Sequence, residues 1–316
     1  MSRKANVKRH KRHVQTRPSA SPTPDKSTYV RRTHKDKLFR FIFRDRKNLL
    51  QLYNALNGSD YQDEASIEII TLENIIYLGY KNDMAFLLDW VMFLGEHQST
   101  WNPNMPLRGL LYFSRLYQDF IAAKGYDLYK NTLIPLPCPQ YVVFYNGTEP
   151  RPDREFLFLS DAFQIRQDGP RFPLLPSLEC RALVLNINYG HNRELMDKCR
   201  PLWEYSCFIH YVRENLQSGF APEHSVDLAV QRCLRENILT DTLRVHKKEV
   251  VRMFLEEYDQ ELHERTLRSE GLEEGREEIV RLFQFLFRDN REEDLRRSVE
   301  NKEFRQQLLK EYGIIK

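Results

Sequence analysis

The hydrophobic positions of this chain follow helical spacing in some segments and form short continuous runs in others. Apolar residues recur three or four positions apart in residues 36–57 and 107–124, which predicts two amphipathic helices. Residues 141–145 and 183–187 are short apolar runs, which favour buried strands. From residue 193 onward the pattern is almost wholly helical. This order predicts an α/β domain with a central mixed β-sheet flanked by helices, followed by an all-helical C-terminal region.

Two further apolar runs predict a β-hairpin. The runs cover Met84–Leu88 and residues 91–94, and the dipeptide 89–90 separates them. That dipeptide, Asp-Trp, lacks the glycine that two-residue turns favour. If it nevertheless forms the turn, Leu88 lies opposite Val91, and the register of every other pair follows.

The same register would place two carboxylates opposite each other. Asp83 and Glu96 become cross-strand neighbours with Cβ atoms roughly 4.5–5.5 Å apart, and Gln98 points to the same face as Glu96. Like charges at this distance repel each other unless a cation lies between them. A divalent metal site is therefore one interpretation. The other is that both carboxylates mark the end of the hairpin, where its strands emerge into water, and the pattern leaves both open.

The composition is that of a chain that can bury a large core. Its 316 residues are 41% hydrophobic and include 19 Phe and 16 Tyr. No run of about 18 apolar residues occurs, and no apolar segment follows the basic N-terminus, so we expect neither a membrane span nor a secretory signal. Five scattered cysteines then indicate reduced thiols in a cytoplasmic protein. The chain contains no glycine-rich phosphate loop, and no organic cofactor is expected.

Basic residues are concentrated at the N-terminus. Residues 1–40 contain 13 Lys or Arg against two Asp, whereas the remaining 276 residues carry a net charge of −8. A cationic tail would help an acidic body to hold a polyanion such as DNA through salt-sensitive phosphate contacts. The alternative is a solubilising or vestigial extension, and the pattern does not decide between them.

These patterns divide the chain into three predicted regions. A disordered basic tail covers residues 1–28, the α/β domain covers residues 29–192, and the helical region covers residues 193–316. The tail is assigned as disordered because it carries almost no apolar periodicity. Within the helical region, the charged segment 268–276 contains two glycines and predicts a hinge between two helices.

Several blocks of sequence follow one another in a characteristic order. They include Glu-His-Gln-Ser-Thr at residues 96–100, Asn-Pro-Asn-Met-Pro-Leu-Arg at residues 102–108, Tyr-Val-Val-Phe-Tyr-Asn-Gly at residues 141–147 and Leu-Asn-Ile-Asn-Tyr-Gly-His at residues 185–191. Together they resemble the Rpn/transposase-like family, bacterial recombination-promoting nucleases of the PD-(D/E)XK superfamily. The resemblance covers roughly residues 30–290.

The resemblance implies a restriction-endonuclease-like core that binds DNA and cleaves it with a metal ion. The implied metal ligands are Asp83, Glu96 and the main-chain carbonyl of His97, with Mg²⁺ as the ion and Mn²⁺ as an alternative. Hard oxygen ligands of this kind suit Mg²⁺. The implied biological role is DNA recombination or mobile-element activity in a bacterial cytoplasm.

One catalytic position departs from the superfamily pattern. Gln98 stands where a lysine is usual, although the resembling branch often has this glutamine. A neutral amide can orient a water molecule for catalysis but cannot supply positive charge or transfer a proton. An alternative function is therefore a catalytically weak or inactive DNA-binding or assembly protein on the same fold.

Two other residues are candidates for the predicted site. Arg108 lies in the predicted helix after the Asn/Pro-rich loop, and arginine matches phosphate oxygens bidentately, so we predict that it contacts a DNA phosphate. Asp36 could approach the metal as an accessory ligand, although acidic residues are common at helix N-termini for other reasons. The resemblance also suggests a homodimer, but no sequence feature indicates an interface.

Deletion of residues 1–30 is expected to weaken DNA binding and to reduce its dependence on salt, because the basic tail would contribute phosphate contacts. Binding of a duplex measured at several salt concentrations checks this expectation. An unchanged slope of log affinity against log salt concentration would exclude the tail from DNA binding.

Overall fold

A mixed β-sheet flanked by helices forms the centre of the fold. The structure is a computed structural model that describes residues 37–70, 84–164 and 176–315. Within these ranges six strands form one sheet in the order β1-β2-β3-β4-β6-β5. The strands are β1 (Glu68–Ile69), β2 (Met84–Leu88), β3 (Val91–Gln98), β4 (Cys138–Tyr145), β5 (Arg154–Phe158) and β6 (Arg181–Asn186). The predicted α/β class is confirmed.

The described ranges also contain nine α-helices. They are α1 (Lys37–Phe43), α2 (Arg46–Asn57), α3 (Met105–Ala123), α4 (Arg193–Lys198), α5 (Arg200–Gln217), α6 (Pro222–Arg235), α7 (Thr240–Arg288), α8 (Glu292–Glu300) and α9 (Lys302–Glu311). None of these helices is long and apolar enough to cross a membrane.

The predicted hairpin is confirmed with its predicted register. Strands β2 and β3 are antiparallel, with Leu88 opposite Val91 and Met84 opposite Gly95. The turn forms without glycine because Asp89 adopts a left-handed conformation with φ of 51°. Aspartate tolerates this conformation better than most residues. The predicted pairing of Asp83 with Glu96 lies outside the described residues, because Asp83 precedes the first described residue of β2.

The three central strands β3, β4 and β6 run parallel to one another. Parallel neighbours need a crossover connection, and helix α3 provides it between β3 and β4. As a result, the carboxyl ends of the three strands, at Gln98, Tyr145 and Asn186, lie at one edge of the sheet. Polar residues that follow these strands are therefore brought together in space.

Each face of the sheet carries its own apolar cluster. Phe93 and Phe144 pack in a cluster with helices α1, α2, α5, α6 and α7. Leu94 and Val143 point to the other face and pack in a cluster with α3. Alternation along β3 thus assigns even-numbered residues to the α3 face and odd-numbered residues to the opposite face.

The prediction of one helix over residues 36–57 is wrong. Two helices occur instead, and Asp45 separates them by accepting hydrogen bonds from the main-chain N–H groups of Lys47 and Asn48. Such a cap stabilises a new helix start. The second helix ends before Gly58, whose φ of 65° lies in the left-handed region that commonly terminates helices. Asp36, the predicted accessory ligand, lies outside the described residues.

The predicted hinge at residues 268–276 is also wrong. The segment is helical and lies inside α7. Each interior glycine costs a helix only about 1 kcal/mol relative to alanine, which the long helical part of α7 after the kink at His246 tolerates. The apolar cluster on the face opposite to α3 contains strand residues and also residues from both sides of position 192. The predicted domain boundary at that position stays a prediction.

We expect Gly109→Ala to lower the free energy of unfolding by about 1–3 kcal/mol through overpacking. A Cβ at Gly109 would lie 2.5 Å from the ring of Tyr141, a fixed and buried side chain. Gly271→Ala is the matched control, because this glycine is also helical and a Cβ there would have no neighbouring atom within 4 Å. It should gain about 0.5–1 kcal/mol from helix propensity. Urea unfolding of both variants measures the two effects, and destabilisation by both would refute the packing argument.

Candidate functional site

A buried carboxylate marks the carboxyl-terminal part of β3. The side chain of Glu96 is 2% exposed and belongs to the even face, which α3 covers. Moving a carboxylate from water into an apolar environment is costly unless other groups compensate its charge. The neighbours of Glu96 therefore define what this part of the sheet can do.

Arg108 contacts Glu96 as a positively charged partner. Its Nη2 lies 2.8 Å from Oε2 of Glu96, and its side chain is 14% exposed. The same Nη2 lies 3.2 Å from the hydroxyl oxygen of Tyr112, one turn further along α3. Burial by itself would lower the pKa of Arg108, but the charge of Glu96 and the nearby Tyr112 outweigh burial and raise the pKa above its usual value. Arg108 therefore keeps its positive charge beside the carboxylate.

Tyr141 is a second tyrosine beside the carboxylate. It lies on β4 opposite Leu94, and its side chain is buried on the α3 face. Burial first, and then the charge of Glu96, raise the pKa of Tyr141 well above its usual value. Its hydroxyl group keeps its proton and can act as a donor toward Glu96. From the sequence, Tyr141 was predicted only as a core strand residue.

Gln98 lies on the same side of β3 as Glu96, as predicted. Its Nε2 is 3.4 Å from Oε2 of Glu96, which makes a long and weak hydrogen bond. The side chain is half-buried at the end of the strand. The amide therefore lies beside the carboxylate, where a group that orients water is predicted. The catalytic role of Gln98 stays a prediction.

His97 points away from Glu96, to the opposite face of the sheet. Its ring is 2% exposed, and its centroid lies 4.8 Å from that of Phe39 on α1. Nε2 of His97 lies 2.9 Å from the hydroxyl oxygen of Tyr205 on α5. Asn146, the residue after β4, donates its side-chain amide to the same hydroxyl at 2.9 Å. The binding of metal by the main-chain carbonyl of His97 stays a prediction.

Further amide groups join the ends of the parallel strands. Arg213 on α5 donates to the side-chain oxygen of Asn188 at 2.7 Å and to the main-chain oxygen of Asn146. Asn188 in turn donates to the main-chain oxygen of Gly147 at 3.0 Å. These groups were not predicted as a cluster. The signal was present in the sequence, because asparagines follow two apolar strands in the blocks at residues 141–147 and 185–191.

The remaining predicted site residues are not all described. Asp83 and Asp36 lie outside the described residues, so the structure gives no distance from either of them to Glu96. Within the ranges that are described, no group of three or more His, Cys, Asp or Glu side chains is arranged to hold a metal ion. A metal at Glu96 would thus require Asp83 or main-chain oxygens. Arg108 contacts Glu96, and its predicted contact with DNA phosphate stays a prediction.

Comparisons with known proteins find no relative of this chain. No family model matches the chain, and no curated protein or solved structure is significantly similar to it.

Removal of the arginine alone, as Arg108→Met, is expected to lower the free energy of unfolding by about 3–5 kcal/mol, because Glu96 would stay buried without its compensating charge. Adding Glu96→Gln to this variant should recover most of the loss. Urea unfolding of the parent, both single variants and the double variant measures the coupling.

Arg115→Met is the control for this cycle. Arg115 lies on the same helix and pairs with Asp119, but both side chains are 48% exposed. An exposed pair of this kind contributes under about 1 kcal/mol. If the effects of Arg108→Met and Glu96→Gln simply add, the two residues are not energetically coupled.

Proposed function

We propose that this chain is a Mg²⁺-dependent DNA endonuclease whose site is centred on Glu96. The observation that carries the proposal is a carboxylate only 2% exposed at the end of a central strand, with Arg108 and Gln98 beside it. A buried ion pair is often no more stabilising than apolar residues of similar volume. A charged group in this position is therefore better explained by a functional role than by a contribution to the stability of the fold.

The topology supports a restriction-endonuclease-like core. The antiparallel hairpin β2–β3 is followed by the crossover helix α3 and by β4, which is parallel to β3. This arrangement supplies the central mixed sheet with flanking helices that such a core requires. It also places Glu96, Gln98 and the first turn of α3, which carries Arg108, on one side of the sheet.

The donor groups fit a hard divalent cation. Glu96 offers carboxylate oxygens, and the main chain of β3 offers carbonyl oxygens, which are the ligand types that Mg²⁺ prefers. Asp83 directly precedes Met84 in the sequence, and Met84 pairs with Gly95, next to Glu96. In the proposal Asp83 is the second carboxylate, and His97 contributes its carbonyl group.

Each side chain then has a definite task. Glu96 and Asp83 hold the ion, and the buried hydroxyl group of Tyr141 would donate to Glu96 and keep that carboxylate oriented. Gln98 orients the attacking water molecule through its amide group. Arg108 turns its guanidinium group toward the scissile phosphate, for which its planar donor geometry is suited. When bound, Mg²⁺ polarises the phosphate and lowers the pKa of a water ligand.

Charge distribution supports DNA as the partner. The first 40 residues are strongly basic, whereas the rest of the chain is mildly acidic. An acidic body alone would repel DNA, so the tail would provide much of the non-specific affinity. Recombination or mobile-element activity is the biological role that we attach to this nuclease.

The ion pair between Glu96 and Arg108 favours a second function. Arg108 already neutralises Glu96, and Gln98 supplies no positive charge. A site of this kind suits a DNA-binding or assembly protein that keeps the fold without a useful cleavage rate. The two functions differ in their dependence on metal.

The deciding experiment is nicking of supercoiled plasmid by the full chain with Mg²⁺, Mn²⁺ or EDTA. We expect metal-dependent nicking, and we expect Glu96→Gln to reduce its rate by more than about 100-fold, because even residues that only support metal ligands cost 10- to 100-fold. Asp83→Ala should have a similar effect.

Glu194→Gln is the matched control, because this glutamate is 86% exposed and pairs with Lys198 on its own short helix. It should leave nicking unchanged. Nicking that survives both Glu96→Gln and Asp83→Ala would exclude the proposed site. DNA binding without nicking under any metal would establish the non-catalytic function instead.

A further inference from the structure

We infer that Tyr205 is a positioning residue for the metal centre: it anchors His97 and thereby fixes the segment of β3 that carries Glu96 and Gln98. This inference rests on the proposed function, because it assigns a supporting residue to that same site. Tyr205 lies on α5, in the helical region, and 108 positions separate it from His97 along the chain.

The anchor is a chain of three side chains. Asn146 donates its amide to the hydroxyl oxygen of Tyr205 at 2.9 Å, and that hydroxyl group lies 2.9 Å from Nε2 of His97. The hydroxyl group of Tyr205 thus joins the side chain of Asn146 to the imidazole ring of His97.

These groups are held in place by burial and packing. His97, Tyr205 and Asn146 are between 2% and 4% exposed. The ring of Phe39 lies 4.8 Å from that of His97 and 5.3 Å from that of Tyr205, measured between centroids. A polar group left without its partner in such surroundings costs about 1–3 kcal/mol, which favours one orientation of the imidazole ring.

The anchor acts on the carboxyl-terminal part of β3. Strand β4 pairs with β3 through Gln98 and restrains the main chain of this segment within the sheet. The side chain of His97 adds a second restraint, from the face opposite to Glu96 and Gln98.

The restraint reaches the metal ligands through the main chain. His97 lies between Glu96 and Gln98, and its own carbonyl group is the third proposed ligand. Because successive residues of a strand point to opposite faces, a shift of the His97 side chain would tilt the peptide groups on both sides. Groups that orient metal ligands in this way commonly change metal affinity by about 10- to 100-fold.

Helix α5 provides a matched control for the test. Tyr211 is also a buried tyrosine of α5, and its hydroxyl group donates to Glu236 at 2.7 Å, on the helical side of the molecule. Tyr211→Phe removes a hydroxyl hydrogen bond from the same helix without touching His97. Both variants keep their aromatic rings, so their thermal unfolding temperatures can be compared.

The experiment measures Mn²⁺ binding to the full chain without DNA, by electron paramagnetic resonance of the free ion. We expect Tyr205→Phe to weaken Mn²⁺ binding by about 10-fold. Tyr211→Phe should leave Mn²⁺ binding unchanged, although it should lose a similar amount of thermal stability. In plasmid nicking, Tyr205→Phe should raise the Mn²⁺ concentration needed for half-maximal rate more than it lowers the rate at saturation.

Two outcomes separate this inference from the proposed function. If the parent protein neither binds Mn²⁺ nor nicks plasmid with it, the proposed metal-dependent function is wrong. If the parent and Tyr205→Phe bind Mn²⁺ equally well, the function stands and the positioning role is overturned.

The hydrogen bond itself has a readout that needs neither metal nor DNA. The ¹⁵N resonance of His97 Nε2, assigned with His97→Asn, should move when Tyr205 is replaced by phenylalanine and stay in place in Tyr211→Phe. An Nε2 resonance that is unchanged in Tyr205→Phe would overturn the anchor.

Discussion

The contact between Glu96 and Arg108 is the interaction on which the arrangement of this site depends. The carboxylate is almost fully buried, and the guanidinium group of Arg108 lies 2.8 Å from it. Because a buried charge without compensation is strongly destabilising, the first turn of α3 has to lie over the end of β3. The same docking packs Gly109 against Tyr141, and Tyr112 contacts Arg108 from the next turn of the same helix. One ion pair thus connects the crossover helix to the sheet.

The alternation of β3 separates two kinds of chemistry that are adjacent in sequence. Glu96 and Gln98 point to the α3 face, where the charged groups are. His97 points to the other face, where Tyr205 and Phe39 hold its ring. Local strand geometry therefore explains how one short segment carries the carboxylate and the amide on one side and a packed, hydrogen-bonded histidine on the other.

Local parts of the fold could be predicted, and long-range parts could not. The hairpin followed from two apolar runs, since a two-residue turn fixes every pair beyond it. The break at Asp45 was missed because a side-chain cap interrupted a continuous helical pattern. The contacts of Arg108 with Glu96 and of Tyr205 with His97 depend on how helices dock on the sheet. No spacing along the chain encodes such distances.

The charge balance at Glu96 distinguishes the two proposed functions, a metal-dependent nuclease and a non-catalytic DNA-binding protein. Glu96 and Arg108 together are neutral, so they offer a divalent cation little net attraction. A second carboxylate would make the site negative, and a phosphate that drew Arg108 away would make it more so. In the proposed nuclease, metal binding would therefore depend on Asp83 joining Glu96, and cleavage would depend on Arg108 exchanging a carboxylate for a phosphate. Without these two events the same residues would form a closed ion pair, as expected for the proposed non-catalytic function.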